Sequence, residues 1–168
     1  MEKRTEMGVW SPVQENGRWN LVNGKGEYLL DKSVGYAGKF RDGCAAIRMG
    51  LSWNLVNTSG ECLLDEWVKY LGDFHGGYAV VMRYGDSWNF INSKGEYLLA
   101  EWADYSDDFH EGYAAIRRGC RYNYVNSSGE YLLDEWAEDV SNFYKGIASV
   151  RRGGKWEEID VKGELVSA

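Results

Sequence analysis

Short apolar segments alternate with polar, glycine-containing segments along the whole chain, and one order of segments recurs five times. The clearest marker is a pentapeptide that begins with an aromatic residue and ends with Asn or Asp. Its copies are Trp19–Asn23, Trp53–Asn57, Trp88–Asn92, Tyr122–Asn126 and Trp156–Asp160, and their first residues are 34, 35, 34 and 34 positions apart. A fixed period of this length is the sequence signature of a repeat protein. We therefore predict five tandem repeats of about 34 residues.

Each repeat contains three apolar runs, which we name C, A and B in chain order. The pentapeptide is run A, and an Asn/Asp-x-x-Gly sequence joins it to run B in every copy. This sequence is typical of a type I turn in which Gly accepts a positive φ. The pattern predicts a three-stranded antiparallel C-A-B meander in each repeat. The five predicted meanders cover residues 9–31, 43–65, 77–100, 112–134 and 146–166.

A linker of about a dozen residues joins each B run to the next C run. It must travel back along roughly one strand length, about 17 Å for five residues, to reach the other edge of the sheet. We expect a short fourth strand or a packed loop here. The anchors would be the linker phenylalanines, Phe40, Phe74, Phe109 and Phe143.

These elements predict an all-β fold in a single domain over residues 1–168. Two arrangements of the five repeats remain open. One is an open superhelical array, which we favour, and the other is a closed five-bladed, propeller-like ring in which the first strand completes the last blade.

Charge and composition narrow the possible partners. The chain has 19 Lys and Arg against 26 Asp and Glu, a net charge of −7. This balance disfavours direct binding to nucleic acid or to an anionic membrane. No apolar run is long enough to span a bilayer, and the N-terminus does not read as a signal peptide, so we expect a cytoplasmic protein. Three cysteines without C-x-x-C spacing predict free thiols.

One candidate binding site is a series of linker tryptophans at matching positions, Trp67, Trp102 and Trp136. Exposed indoles at repeat spacing would form a stacking ladder for a glycan or an apolar protein surface. The alternative, which we favour, is that they pack between neighbouring repeats. The first repeat has Ser33 at this position, so a ladder would be incomplete.

A second candidate is a series of arginines that close the C runs, of which Arg48, Arg83, Arg117 and Arg151 are the proposed binding residues. Arg118 and Arg152 follow two of them. Acidic residues close the B runs, and the C-A-B order would place both series on one edge: Asp31, Asp65, Glu66, Glu101, Asp134 and Glu135. The two series could pair across that edge. They would form either a charged rim that selects a partner or, as we favour, a solvated edge that also discourages strand-to-strand aggregation.

The residues that carry the pattern resemble the bacterial WG-containing repeat family. The closest matches are Gly154–Gly163, with its Lys-Trp-x-x-Ile-Asp-x-x-Gly sequence, and Phe109–Ile116. The resemblance implies a β-repeat array with interaction duties and no catalytic residues. The family's Gly after Trp is Asn in four repeats and Glu157 in the fifth. Because Asn tolerates left-handed backbone, we expect a special φ at this position.

No motif for catalysis, phosphate binding or metal binding appears in the sequence. His75 and His110 occupy equivalent positions that carry Arg41 and Tyr144 in other repeats, which indicates surface residues. We therefore expect a non-catalytic module, without cofactor or metal, that recognises a protein partner. Two alternatives remain: a carbohydrate-binding module that uses Trp and Tyr, and an acidic inhibitor that covers a basic nucleic-acid-binding site.

Overall fold

A computed structural model describes residues 8–166, which form 14 strands and contain no helix. The C strands are β1 (Ser11–Glu15), β4 (Cys44–Met49), β7 (Tyr78–Arg83), β10 (Tyr113–Arg118) and β13 (Ile147–Arg152). The A strands are β2 (Arg18–Val22), β5 (Ser52–Asn57), β8 (Ser87–Asn92), β11 (Arg121–Asn126) and β14 (Lys155–Asp160). The linkers supply β3 (Tyr36–Ala37), β6 (Tyr70–His75), β9 (Tyr105–His110) and β12 (Asp139–Val140).

The strands form five separate antiparallel sheets in tandem, one for each repeat. The first sheet pairs β1 with β2, and each later sheet has the order linker strand, C strand, A strand. No sheet of the described residues closes on itself. Strand β1 pairs with β2 and the last sheet consists of β12, β13 and β14, so β1 does not complete the last sheet. The predicted all-β tandem array is confirmed, and its strand pairing is that of an open array.

In the four three-stranded sheets, the third strand is the linker strand rather than run B. Run B contacts its A strand through one isolated bridge, such as Val22 with Tyr28. The linker pairs with the other end of the same A strand. In the first repeat, linker residue Val34 and A-strand residue Trp19 exchange two backbone hydrogen bonds of 2.8 Å. Between the two bridges this segment has more residues than the A strand opposite it, so it bulges outward and cannot form a regular ladder.

An asparagine side chain, buried in three repeats and half-buried in the first, holds this bulge. In the second repeat, Asn54 Oδ1 accepts hydrogen bonds from the Leu55 and Leu64 amides at 2.8 and 3.1 Å, and Nδ2 donates to the Leu64 carbonyl oxygen at 3.3 Å. The equivalent asparagines are Asn20, Asn89 and Asn123. None of the four has a positive φ. The prediction of a left-handed φ at this position is therefore wrong. Asn is needed here because its side chain supplies both a hydrogen-bond donor and an acceptor.

The predicted A–B turn is confirmed. The Gly26 amide donates to the Asn23 carbonyl oxygen at 3.0 Å, and Gly26 has a φ of 79°. Asn23 Oδ1 accepts hydrogen bonds from the amides of Lys25 and Glu27. The side chain thus fixes the turn that its position in the sequence predicts.

The turn glycine also lets consecutive repeats approach closely. A Cβ at Gly60 would lie 2.8 Å from the Leu29 carbonyl oxygen of the first repeat, and one at Gly95 would lie 2.9 Å from the Leu63 carbonyl oxygen. A side chain cannot occupy that space without a shift of backbone. The glycine of the repeat therefore serves both turn geometry and packing.

The chain falls into two compact bodies. The described residues up to Leu71, with Ser93–Gly95, form the first, and Gly72–Asn92 with the described residues from Glu96 onward form the second. The core of the first body includes Leu21, Val34, Ala45, Ile47 and Val56. The second body has two clusters, one around Phe90, Ile116 and Val125 and one around Tyr124, Phe143 and Ile159. The single domain over 1–168 stays a prediction.

Between residues 8 and 166 there is no helix with the length and apolar character that crossing a bilayer would require.

Candidate binding surface

In β10 and β13 the C strand ends in two successive arginines, which point to opposite sides of the sheet because side chains alternate along a strand. Arg48, Arg117 and Arg151 lie opposite an aromatic residue of the A strand: Trp53, Tyr122 and Trp156. Arg83, Arg118 and Arg152 are the last residues of their strands and lie one position further along. The predicted single arginine series is therefore two series with different surroundings.

In the second repeat, Tyr36, Arg48 and Trp53 form a row across the three strands. The Tyr36 ring lies between two tryptophans, with centroids 5.6 Å from Trp19 and 5.8 Å from Trp53. The Arg48 Cζ lies 5.8 Å from the centroid of Trp53. We call Trp19, Tyr36, Arg48 and Trp53 the first aromatic row. Tyr36 is 37% exposed, so the row is accessible at the surface.

The second body repeats this arrangement. Tyr105, Arg117 and Tyr122 form the row of the fourth repeat, and Tyr105 lies 5.7 Å from Trp88 between ring centroids. Burial, with a smaller contribution from the Asp107 carboxylate, raises the pKa of Tyr105.

On the other side of these sheets, arginine and the linker tryptophan form a second type of cluster. The Arg83 Cζ lies 4.4 Å from the centroid of Trp102. The Arg118 Cζ lies 5.7 Å from the ring centroids of both Tyr131 and Trp136. The Arg118 Nη1 donates a hydrogen bond to the Tyr131 hydroxyl at 2.8 Å. These contacts cover one face of each indole with a cation of the chain itself.

All three linker tryptophans are half-buried. Trp67 packs against the core of the first body, and Trp136 packs against the cluster around Phe90. Trp102 contacts Tyr97, with 5.1 Å between ring centroids, on the same side as Arg83. The structure therefore joins two of the predicted site residues, Arg83 and Trp102, and places Arg48, Arg117 and Arg151 in the other type of row.

The predicted pairing between arginines and the carboxylates that close run B is not what the described side chains show. Arg118 Nη2 contacts Glu101 through the backbone carbonyl oxygen at 2.7 Å, and Arg151 pairs with Glu138, 3.6 Å from Nε to Oε2. The expected charged rim is therefore wrong in its partners.

The remaining chemical candidates lie at the surface or in the core. His75 and His110 are exposed, and residues 8–166 contain no cluster of His, Cys, Asp or Glu that could hold a metal. Cys44 is buried, whereas Cys62 and Cys120 are exposed, and all three are free thiols as predicted. A cavity of about 600 Å³ beside β1 is lined by Trp10, Phe40 and other residues, of which Lys39 is the one described titratable group.

Sequence reasoning missed the aromatic row as a surface. The first residue of run A served as the marker of the repeat, and the tyrosines Tyr36, Tyr70 and Tyr105 recur 34 and 35 residues apart in the linker. That second periodicity was the available signal. The contact between Tyr36 and Trp53 could not be derived, because it needs the linker strand to pair with the C strand.

A sequence model described as WG containing repeat matches residues 124–156, so this stretch carries a repeat of that type. A comparison with curated proteins finds no match. Among solved structures, the computationally designed Ika8 protein is similar with 14% identity and a TM-score of 0.41 over 94% of this chain and 57% of that one. KlHsv2 with a replaced loop 6CD has 11% identity and a TM-score of 0.43, over 94% and 61%. BamB from Moraxella catarrhalis has 11% identity and a TM-score of 0.40, over 95% and 60%. The chain spans about three fifths of the length of each, and the scores are too low to support any inference.

Proposed function

We propose that this chain is a non-catalytic array of WG-type repeats that recognises a protein partner through its aromatic rows. The observation that carries the proposal is the first aromatic row, in which two tryptophans, a tyrosine and an arginine are gathered on one accessible surface. Trp, Tyr and Arg are the residue types most enriched among the energetically dominant positions of protein interfaces. Related rows in the second body extend this chemistry over several repeats.

Ring geometry favours a protein over a glycan. A sugar ring stacks on an open aromatic face, and such platforms need flat, uncovered rings. Tyr36 is tilted by 55° against Trp19 and by 67° against Trp53, so neighbouring rings meet at their edges and faces. An irregular protein surface, with side chains that enter the gaps between tilted rings, matches this relief better.

Site-specific photo-crosslinking tests the proposal. Benzoylphenylalanine is placed at Tyr36 in one variant and at Tyr28 in another, because both tyrosines lie in the first body and are 37% and 51% exposed. Tyr28 bonds to Glu15 and lies outside the row. We expect one protein adduct at position 36 that excess unlabelled chain competes away, and none at position 28.

Two results would overturn the proposal. One is the absence of a competable protein adduct at position 36, or an equal adduct at both positions. The other is retardation of the wild-type chain, but not of a Tyr36→Ser variant, in a polysaccharide-containing gel, since the row would then bind a glycan.

A further inference from the structure

One backbone contact identifies an equivalent position in three repeats, immediately before the linker strand. We call Arg48, Arg117 and Arg151, which lie opposite the first aromatic residue of the A strand, the row arginines. The amide of the residue before the linker strand donates to the carbonyl oxygen of the row arginine at 2.9 Å. The pairs are Gly35 with Arg48, Asp104 with Arg117, and Glu138 with Arg151. The side chain at this position therefore starts beside the arginine and the C–A turn that follows it.

In the fourth and fifth repeats this position carries a carboxylate that reaches the C–A turn. Asp104 Oδ2 accepts a hydrogen bond from the Gly119 amide at 2.6 Å. Glu138 Oε2 accepts one from the Gly154 amide at 3.1 Å and lies 3.6 Å from Arg151 Nε. A carboxylate at this position therefore reaches an amide of the C–A turn in both repeats, and in the fifth repeat it also contacts the row arginine.

The second repeat has the arginine and the turn but no carboxylate. Arg48 Nη1 donates to the Gly50 carbonyl oxygen at 2.9 Å, as Arg117 Nη1 does to that of Gly119 at 2.7 Å. The guanidinium is thus held in the same way in both repeats, with further N–H groups left over. Gly35 has no side chain, and no ion pair joins Arg48 to a carboxylate within residues 8–166.

The third repeat lacks both members of the pair. Met82 stands where Arg48 stands in the second repeat, opposite Trp88, and Lys69 precedes the linker strand. Three repeats have an arginine at the row position, and two of these also have a carboxylate before the linker strand. Arg48 is the exception, and it lies within the first aromatic row.

We propose that the Arg48 guanidinium and the Gly50 amide form a receptor for an Asp or Glu side chain of the protein partner. The partner's carboxylate accepts from the turn amide as Asp104 does in the fourth repeat, and it contacts the guanidinium as Glu138 does in the fifth. The neighbouring residues of the partner segment pack on Tyr36 and Trp53. A guanidinium held by a hydrogen bond to its own turn loses little freedom when it binds a carboxylate, which favours such contacts. This inference rests on the proposed function and names the chemical group that the aromatic row selects.

The test is an NMR titration of the ¹⁵N-labelled chain with capped glutamate, N-acetylglutamate N-methylamide, with capped glutamine as the neutral control. We expect saturable shifts of the Gly50 amide and Arg48 Nε signals, with a Kd on the order of 1–10 mM for a single charged contact. Capped glutamine should leave both signals in place.

Four variants sharpen the test. Gly35→Asp supplies the carboxylate found in the fourth repeat and should abolish binding, whereas Gly35→Ala adds a side chain without charge and should retain it. Arg48→Met copies the third repeat and should weaken binding at least fivefold. Arg117→Met, in the repeat whose turn amide already bonds to Asp104, should bind like the wild type.

The receptor is overturned if the wild type shows no saturable shift, if capped glutamine gives equal shifts, or if Gly35→Asp binds as tightly as the wild type. If the Gly35 variants fail to fold, Arg48→Met against Arg117→Met decides alone. A protein adduct at position 36 that is unchanged in Arg48→Met contradicts the receptor and leaves the proposed function standing. Capped-glutamate binding without any protein adduct supports the receptor and contradicts the proposed function.

Discussion

Asn89 holds both backbone groups of Leu99, with 2.9 Å from its Oδ1 to the Leu99 amide and 3.0 Å from its Nδ2 to the Leu99 carbonyl oxygen. Asn89 is fully buried, and its Oδ1 also accepts a hydrogen bond from the Phe90 amide. One side chain thus replaces the ladder hydrogen bonds that the bulged segment cannot make. The same contact in four repeats makes this asparagine the joint between the A strand and the linker.

Removal of this joint should be costly because it leaves buried backbone groups without partners. We expect Asn89→Ala to lower the free energy of unfolding by about 2–4 kcal/mol. The matched control is Glu157→Ala, since Glu157 stands at the equivalent position of the fifth repeat without these bonds; it should change stability by less than about 0.5 kcal/mol. Urea denaturation measures both, and equal losses would show that the asparagine is not the joint.

The turn glycines separate backbone strain from packing. Gly26 has a φ of 79° and open space around its Cα, whereas Gly60 has a φ of 82° and the Leu29 carbonyl oxygen where a Cβ would be. Gly26→Ala should therefore cost about 1 kcal/mol from positive φ alone. Gly60→Ala should cost roughly 1–3 kcal/mol more because backbone must move. Thermal denaturation of the two variants checks this, and similar melting temperatures would argue against the close contact.

Two tryptophans test which indoles stabilise the fold. Trp136 packs against a core cluster and Tyr131, whereas Trp156 is 54% exposed on β14. We expect Trp136→Ala to destabilise the chain by about 2–4 kcal/mol and Trp156→Ala by at most about 1 kcal/mol. Chemical denaturation followed by circular dichroism distinguishes them. A larger loss for Trp156→Ala would mean that the linker tryptophan is a surface residue.

Cysteine reactivity reports on burial in the first body. Burial, with a smaller contribution from the Asp42 carboxylate, raises the pKa of the Cys44 thiol to about 11. Because the thiolate is the reactive form, the rate of Cys44 alkylation should continue to increase between pH 9 and pH 10.5. Mass spectrometry of quenched samples follows each site. A Cys44 rate that levels off below pH 9.5 would contradict a buried thiol.

The same raised pKa makes stability depend on pH. The unfolded thiol ionises near pH 9 whereas the folded thiol stays protonated, so the free energy of unfolding falls as pH rises from 9 to 11. Below pH 9 the thiol is protonated in both states, so its contribution to stability is fully present there. A Cys44→Ala variant should lose this part of the alkaline destabilisation.

The sequence predicted the repeat, the two tight turns and the free thiols because each depends on residues close together in the chain. Asn23 and Gly26 determine their turn within four residues. The identity of the third strand could not be derived, since pairing of Tyr36 with Arg48 depends on whether the linker or run B competes better for an edge. The bulge decides that competition, and it depends on a buried asparagine whose role the sequence suggested only as backbone tolerance.

The binding surface was predictable in part. Alternation along the C strand is enough to separate Arg117 from Arg118, because neighbouring side chains point to opposite sides of a strand. The receptor at Arg48 could not be found in the same way. It depends on Gly35 having the backbone position of Asp104, and that equivalence appears only in the hydrogen bonds to Arg48 and Arg117.

The aromatic row is the proposed recognition surface of the chain. The most direct measurement is the affinity of the purified crosslinked partner for the wild-type chain and for the variants Tyr36→Ser and Tyr28→Ser, by isothermal titration calorimetry. We predict that Tyr36→Ser weakens binding at least tenfold, about 1.4 kcal/mol, and that Tyr28→Ser stays within about twofold of the wild type. Equal affinities for all three chains would contradict the account.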